Sequence, residues 1–122
     1  MAALKKQEVE DVLVLGFTSS KLVDEQDILQ VGKELLATAT EADDEQKVLL
    51  SFRGVGFMSS AMLGKLVSFQ KQCKKKSIPL KVCSITPEIM EVFKITKLNK
   101  LFDIVKDEKK AVDAFNKKGW FG

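Results

Sequence analysis

At 122 residues, with 45% apolar and 30% charged residues, the chain has the length and composition of one folded domain with a single core. It contains no histidine and no tyrosine, which excludes Ser-His-Asp and Cys-His catalytic arrangements and histidine-ligated zinc. The net charge of +3 is small and the phenylalanines are not interleaved with basic residues, so we predict no nucleic-acid partner. No apolar run is long enough to span a membrane, and we predict no membrane partner.

The N-terminus and the cysteines favour a cytoplasmic protein without a cofactor. Residues 1–6 lack the apolar core of a secretory signal peptide, so we expect the protein to be cytoplasmic. Cys73 and Cys83 lack the C-x-x-C spacing of a metal site or a redox dithiol. We therefore predict two buried, reduced thiols, no metal and no cofactor.

The first half of the chain predicts a strand, a helix and a second strand. Residues 1–8 are predicted to be a polar lead-in, and residues 9–17 favour a strand. Asp24 is predicted to cap the first helix, and the acidic residues 41–45 are predicted to form a loop after it. The apolar run 48–52 predicts a central strand covered on both faces. The buried face of the first helix is predicted from its spacing to be Ile28, Val31, Leu35, Leu36 and Ala39.

The second half predicts three helices and two strands. One helix is expected to start near Ser59, and residues 78–85 predict the next strand. Thr86, followed by proline and glutamate, predicts the start of a short helix. Residues 98–105 supply a link and a last strand, and Asp107 is predicted to cap the final helix. The apolar faces of these helices are Met62, Leu63, Leu66, Val67, Phe69 and Cys73, then Ile89, Met90 and Phe93, then Ala111, Val112, Ala114 and Phe115.

The alternation of strands and helices predicts an α/β fold. Parallel strands in such a fold are joined by right-handed crossovers. We expect one domain over residues 1–122, with its core at about residues 9–116, a central mixed β-sheet of about four to five strands and about four α-helices. The apolar residues 119–122 are predicted to pack back on the domain.

Two adjacent serines stand where the second predicted strand gives way to the second predicted helix. Ser59 and Ser60 are both candidate N-caps, because a serine oxygen there accepts a hydrogen bond from an otherwise unpaired N–H group. A phosphate on a serine at a helix start would be tolerated, since it lies beside unpaired N–H groups and the positive end of the helix dipole. It would add about 1.5 to 2 negative charges, which suits a binding module that is switched on and off.

The glycines near these serines match no nucleotide-binding motif. Ser59 stands where a P-loop needs its first glycine, and Leu66 stands where it needs serine or threonine. Ser59 also takes the place of the third glycine of a dinucleotide fingerprint that would begin at Gly54. The sequence therefore predicts no bound nucleotide.

The order of elements from about residue 9 to 116 resembles the STAS domain, especially the small bacterial anti-sigma factor antagonists. That family typically has an apolar strand, a Gly-Val-x-Phe-type turn and Asp-Ser-Ser/Thr-Gly-Leu-Gly at the start of a helix. Residues 54–58 (GVGFM) and 63–64 (LG) match this pattern. Residues 86–93 (TPEIMEVF) and 98–102 (LNKLF) match the later helix of the family and its Leu-x-x-Leu-Phe segment.

The resemblance implies a phosphorylation site at Ser60, with Ser59 as the alternative acceptor. Ser59 replaces the family's aspartate, which removes an acidic feature that a kinase reads, and Met62 replaces its glycine, which adds bulk beside the site. The resemblance also implies a partner-binding surface made of Gly56, Phe57, Met58, Ser59, Ser60, Ala61, Met62 and Lys65.

The function implied by the resemblance is regulatory binding without catalysis. The unmodified protein would bind an anti-sigma factor that is also an ATP-dependent serine kinase, and would thereby release a sigma factor. Phosphorylation would weaken this binding through charge and desolvation, and a serine phosphatase would restore it. Weak homo-oligomerisation stays open.

Two alternatives remain at this stage. One is a STAS scaffold or interaction domain in a signalling complex that is never phosphorylated, which the missing aspartate favours. The other is a small α/β hydrolase or transferase, which needs a base beside Ser59 or Ser60. Without histidine, this base must be a carboxylate or a lysine; none is close in sequence, and Asp24 or Lys21 could approach only through the fold.

Overall fold

The computed structural model describes residues 3–43 and 46–117. It shows a mixed β-sheet with helices on both faces. The strands are β1 (Leu4–Val9), β2 (Val12–Phe17), β3 (Lys21–Leu22), β4 (Lys47–Ser51), β5 (Phe57–Met58), β6 (Leu80–Cys83) and β7 (Ile104–Val105). The helices are α1 (Glu25–Glu41), α2 (Ser60–Lys75), α3 (Pro87–Ile95), α4 (Leu98–Leu101) and α5 (Glu108–Lys117).

The main sheet has five strands in the order β1-β2-β4-β6-β7. β1 is antiparallel to β2, and the other neighbours are parallel. β3 and β5 form a separate parallel pair. The predicted mixed α/β fold is confirmed, with five helices among the described residues, of which α4 is a single turn.

β4 lies at the centre of the sheet and is covered on both faces, as predicted. Val48 and Leu50 belong to the larger core, which the sheet shares with α1, α2 and α3. Leu49 belongs to the smaller core, which α5 closes with Ala111 and Phe115. None of these three β4 side chains is more than 1% exposed, so β4 positions the residues that follow it.

The predicted polar lead-in at residues 1–8 is wrong, because residues 4–9 form the edge strand β1. β1 and β2 are joined by Glu10 and Asp11, whose φ angles of 46° and 71° are those of a tight two-residue hairpin turn. Four consecutive side chains of β1 are exposed, so the strand has no apolar alternation to reveal it. Its charges instead protect a free sheet edge.

The prediction that Leu36 faces the core is also wrong. The buried positions Ile28, Val31 and Leu35 define one stripe of α1, and Leu36 lies on the adjoining face with 51% of its surface exposed. Helical spacing alone does not distinguish these two faces, because Leu35 and Leu36 are both three to five residues from Val31 and Ala39 and so fit the same apolar pattern. The predictions for residues 44–45 and 119–122 lie outside the described residues.

Three predicted helix caps are confirmed. The Asp24 carboxylate accepts hydrogen bonds from two N–H groups of the first turn of α1, at 2.8 and 3.2 Å. The Thr86 hydroxyl accepts one from the Ile89 N–H at 3.4 Å, and the Asp107 carboxylate accepts one from the Lys110 N–H at 2.8 Å. These caps set where α1, α3 and α5 begin.

Lys76, the residue that follows the C-terminal end of α2, caps the C-terminus of α1. The Lys76 ammonium donates to the carbonyl oxygens of Ala39 and Thr40 at 2.7 and 2.8 Å. α1 has no basic residue in its own last turn, so this contact satisfies carbonyls that would otherwise face water. It also holds α1 and α2 side by side.

A row of four buried phenylalanines connects the strand ends to the later helices. Ring centroids are 5.1 Å apart for Phe17 and Phe52, 5.8 Å for Phe52 and Phe93, and 5.9 Å for Phe93 and Phe102. Phe52 is in the middle of this row and is fully buried directly after β4. It therefore anchors the segment that leads to the two serines.

We expect Phe52→Ala to lower the free energy of unfolding by about 3 to 5 kcal/mol, because it leaves a cavity in the centre of this row. Phe57→Ala is the matched control: Phe57 is 62% exposed and should change stability by less than about 0.5 kcal/mol. Urea unfolding followed by circular dichroism measures both. Equal effects of the two substitutions would contradict the anchoring role of Phe52.

Glu34 ties the start of β1 to α1. Its carboxylate accepts hydrogen bonds from the backbone N–H groups of Ala3 and Leu4 at 2.7 and 3.0 Å, and from the Gln30 amide at 2.8 Å. Desolvation by burial raises the pKa of Glu34, but these hydrogen bonds and the nearby Lys6 charge outweigh it and lower the pKa below its ordinary value of 4.5. The ionised carboxylate therefore stabilises the folded state.

We expect Glu34→Gln to lower the free energy of unfolding at pH 7. A carboxyl group with a lowered pKa in the folded state contributes its stabilisation above its unfolded-state pKa, and this contribution is lost as the pH falls through the folded-state pKa. The gap between wild type and variant should therefore shrink on acidification below 4.5. Urea unfolding at a series of pH values tests this, and a constant gap would contradict it.

Candidate functional site

The turn between β4 and α2 is held by backbone hydrogen bonds on two sides. The N–H groups of Gly56 and Ser59 donate to the carbonyl oxygens of Ser20 and Leu22, at 2.9 and 3.0 Å. On the other side, the Thr86 hydroxyl donates to the carbonyl oxygen of Val55 at 3.1 Å. The turn is thus bound both to β3 and to the start of α3.

Local sequence explains the path of this turn. Gly54 has a φ of 84°, a left-handed conformation that favours glycine, and it reverses the chain just after β4. Val55 then turns into the core and is fully buried. The chain returns to the surface at Gly56, which is exposed.

The small β3–β5 pair places one apolar side chain in solvent and one in the core. Phe57 is in register with Lys21, and both are exposed, whereas Met58 is in register with Leu22, and both are buried. Val23 directly follows β3 and is 47% exposed. Phe57, Lys21 and Val23 therefore extend the exposed surface beside the start of α2.

The structure separates the roles of the two serines. Ser59 is the N-cap of α2, with extended backbone angles, and its hydroxyl accepts a hydrogen bond from the Met62 N–H at 3.4 Å. Ser60 is the first residue of the helix and is exposed. The two cap alternatives are thus resolved in favour of Ser59, and the Ser60 hydroxyl lies on the surface.

Two of the eight predicted partner-contacting side chains are not on the surface. Met58 is 8% exposed and Met62 is 0% exposed, so both side chains belong to the core. The prediction that they contact a partner is wrong, and they instead support the surface residues from within the core. Because Met62 points inward, it adds no bulk beside Ser60. The other predicted positions are exposed (Gly56, Phe57, Ser60, Ala61) or half-buried (Ser59, Lys65).

The N-terminus of α2 carries no compensating negative charge. The first turns of α1, α3 and α5 contain acidic residues, but the first turn of α2 contains none. A helix N-terminus carries about half a positive charge from its aligned peptide dipoles. The start of α2 is therefore suited to accept an added anionic group at Ser60.

Lys21 and Val23 are surface residues that sequence reasoning did not assign to the binding surface. They lie in a stretch that reads as a loop in the sequence, and only the pairing of β3 with β5 brings them next to Phe57. The sequence Lys21-Leu22-Val23 has two adjacent apolar residues and no alternation, so it held no signal for this short strand.

One of the two candidate bases considered for the serines is already engaged, and the other, Lys21, is exposed beside Phe57. The Asp24 carboxylate, one of the two candidate bases, is engaged as the cap of α1. Surface grooves lie between α1 and α2, beside β1 and the start of α5, and between α2 and α4, and neither serine lines any of the three.

The two cysteines are free and buried, as predicted. Burial raises the pKa of Cys73 to about 12 and also raises the pKa of Cys83, so both thiols are protonated at neutral pH. In the described part of the chain, no group of three or more His, Cys, Asp or Glu residues could hold a metal ion. Within the same residues, the helices are too short or too polar to cross a membrane.

Comparison with known families identifies the fold. The model of the STAS domain family matches residues 4–111, so the chain belongs to the STAS domain family. This confirms the resemblance found in the sequence. The match begins at residue 4, at the start of β1, and so includes the strand that sequence reasoning missed.

Solved structures with the same fold include bacterial regulators and part of a transporter. An anti-sigma-factor antagonist (STAS) domain protein from Planctomyces limnophilus is 24% identical, with a TM-score of 0.83 over 94% of this chain and 98% of that chain. The Bacillus cell fate determinant SpoIIAA in its phosphorylated form is 16% identical, with a TM-score of 0.68 over 92% and 98%. The murine anion transporter Slc26a9 is 13% identical, with a TM-score of 0.76 over 92% of this chain but 19% of that chain.

We expect Ser59→Ala to lower the free energy of unfolding by about 1 kcal/mol, because it removes the cap of α2. Ser60→Ala is the matched control, and it should leave stability unchanged or slightly raised because alanine favours the first turn. Thermal and urea unfolding of the two variants measure the difference. A larger loss from Ser60→Ala than from Ser59→Ala would reverse the assignment of the cap.

Proposed function

We propose that the protein is an anti-sigma factor antagonist that binds an anti-sigma factor with serine kinase activity and is switched off by phosphorylation of Ser60. The observation that carries the proposal is the exposed Ser60 hydroxyl at the first residue of α2, on a turn held by hydrogen bonds from both sides. Two of the similar structures are an anti-sigma-factor antagonist domain and a phosphorylated SpoIIAA, which supports this function.

The contact with the kinase is made by the junction surface, which we define as Lys21, Val23, Gly56, Phe57, Ser60 and Ala61. All six residues are exposed. Phe57 is the largest apolar side chain among them, and 62% of its surface faces solvent. Exposed aromatic side chains of this kind supply much of the binding energy in protein interfaces. Ser59 and Lys65, which are half-buried, flank this surface.

Phosphorylation changes this surface without unfolding it. A phosphate on Ser60 lies beside the free N–H groups and the positive dipole end of α2, where a negative charge is stabilising. When the junction surface is buried in a complex, the phosphate must lose its hydration or lie against the partner's surface, and either costs binding free energy. The modification therefore weakens binding and leaves the fold intact, and a serine phosphatase reverses it.

Ser59 makes the modification reverse the sign of the local charge, although the phosphate adds the same charge in either case. A family member with aspartate before the acceptor serine carries a negative charge at this point in both states, whereas this chain has only a neutral hydroxyl there. The N-terminus of α2 thus changes from uncompensated positive to net negative when Ser60 is modified. The domain contributes an acceptor and a surface but no catalytic group, and it acts in the cytoplasm without nucleic acid, membrane or cofactor.

A kinase assay tests the acceptor. The protein is incubated with ATP and a candidate anti-sigma factor kinase, and the sites are mapped by mass spectrometry. We expect one phosphate on Ser60 in the wild type and in Ser59→Ala, and none in Ser60→Ala. Phosphate on Ser59 alone, or on neither serine, would contradict the proposed switch.

Binding to the same kinase tests the surface. We expect Ser60→Glu and Phe57→Ala each to weaken binding by about ten-fold or more in isothermal titration calorimetry. Ile95→Ala is the control, because Ile95 is 81% exposed at the end of α3, outside the junction surface. Wild-type affinity of Ser60→Glu would instead support a second function, a STAS scaffold that is never phosphorylated, which the serine in place of the aspartate at residue 59 favours.

A further inference from the structure

An open groove runs along the seam between α1 and α2. It encloses about 480 Å³, and its lining includes Leu29, Gly32, Lys33 and Leu36 from α1 and Lys65 and Gln72 from α2. It is distinct from the junction surface, although Lys65 is one turn further along α2 than Ala61. No role proposed above uses this groove.

Two leucines give the groove its apolar character. Leu29 and Leu36 are 49% and 51% exposed. They lie two helical turns apart on one face of α1, about 10 Å along the helix axis. A single exposed leucine is ordinary, but two that line one groove form a strip that a partner can bury.

Lys65 fills the space between the two leucines. A side-chain carbon added to Gly32 would lie 2.9 Å from Cδ and 3.1 Å from Cε of Lys65, so the lysine stem lies directly over this glycine. The methylene groups of Lys65 thus continue the apolar strip from Leu29 to Leu36. Its ammonium nitrogen lies 3.5 Å from the same added carbon, so the charge also sits over Gly32, between the two leucines.

The charge of the groove is positive. Among the described residues of its lining, the charged side chains are Lys33 and Lys65, both cationic. The nearest carboxylate in sequence, Glu34, is turned away and engaged with Ala3 and Leu4 at the start of β1. An apolar strip that also carries two ammonium groups is complementary to a helix that has apolar residues at positions i, i+4 and i+7 and acidic residues beside them.

We propose that the α1–α2 groove binds an acidic amphipathic helix of a partner protein. This second contact goes beyond the proposed phosphorylation switch and does not depend on it. The helix lies along the seam, its apolar side chains cover Leu29 and Leu36, and its carboxylates pair with Lys33 and Lys65.

A second copy of this chain fits the groove less well. In a two-fold pairing of antiparallel α1 helices, Leu29 of one copy meets Leu36 of the other, and the axis passes near Gly32. That geometry brings Lys33 and Lys65 of both copies together, and like charges at the centre of an interface oppose association.

The chain's own C-terminal residues are also poor occupants. They follow α5, which closes the smaller core on the opposite face of the sheet. Residues 118–122 (KGWFG) contain a lysine and no acidic residue, so their charge does not match the groove.

A titration with a defined peptide tests the proposal. The probe is an acetylated and amidated helical peptide of about 16 residues with leucines at i, i+4 and i+7 and flanking glutamates, and the control peptide has lysine in place of each glutamate. Amide shifts of the isotope-labelled full chain should change saturably at Leu29, Gly32, Leu36 and Lys65. The control peptide should bind about ten-fold or more weakly.

Variants of the protein locate the site. Leu36→Ala and Lys33→Gln should each weaken binding of the acidic peptide by about five-fold or more. Leu101→Ala is the matched control, because Leu101 is an exposed leucine of α4, outside the groove, and Ser60→Glu should also bind the peptide as the wild type does. The second control separates this proposal from the phosphorylation switch.

Four results of the peptide titrations would overturn the proposal. They are the absence of saturable shifts, shifts centred on the junction surface instead of the groove, equal affinity for both peptides, and no effect of Leu36→Ala. A concentration-dependent dimer in analytical ultracentrifugation that Leu36→Ala abolishes would assign the groove to a second copy and would likewise overturn it.

Discussion

Burial of β4 on both faces is the constraint on which the rest of the structure depends. Val48 and Leu50 fill the core shared with α1, α2 and α3, and Leu49 fills the core under α5. A one-residue shift of this strand would exchange its side chains between two cores that have different packing partners. The residues that leave β4, first the buried Phe52 and then the turn at Gly54, are therefore delivered to one defined place at the edge of the sheet.

The site combines a fixed backbone with an accessible side chain. Hydrogen bonds to β3 and from Thr86 hold the turn, and Ser59 caps α2, so little of the local geometry depends on Ser60. A modification at Ser60 can then change charge and leave folding unaffected. This division of labour between neighbouring serines is the physical basis of the proposed switch, because a residue that both capped the helix and accepted phosphate would couple signalling to stability.

The junction surface and the α1–α2 groove differ in the origin of their positive potential. At the start of α2 the positive potential comes from backbone dipoles that no first-turn carboxylate compensates, and it acts on a single side chain. In the α1–α2 groove it comes from Lys33 and Lys65 beside an apolar strip, and it favours a longer acidic segment. The two surfaces adjoin along α2, and Ser60 belongs only to the first.

The sequence by itself determined the α/β class, the caps at Asp24, Thr86 and Asp107, and the position of the strand-to-helix junction, because these depend on local patterns of apolar, capping and turn residues. Tertiary structure decided the rest. β1 is a strand because β2 offers it an edge, Met62 is buried because α2 turns it to the core, and Leu36 is exposed because α2 and the sheet cover the neighbouring stripe of α1. Pairing of β3 with β5 placed Lys21 beside Phe57. Such contacts join residues far apart in the chain, and local sequence patterns therefore cannot predict them.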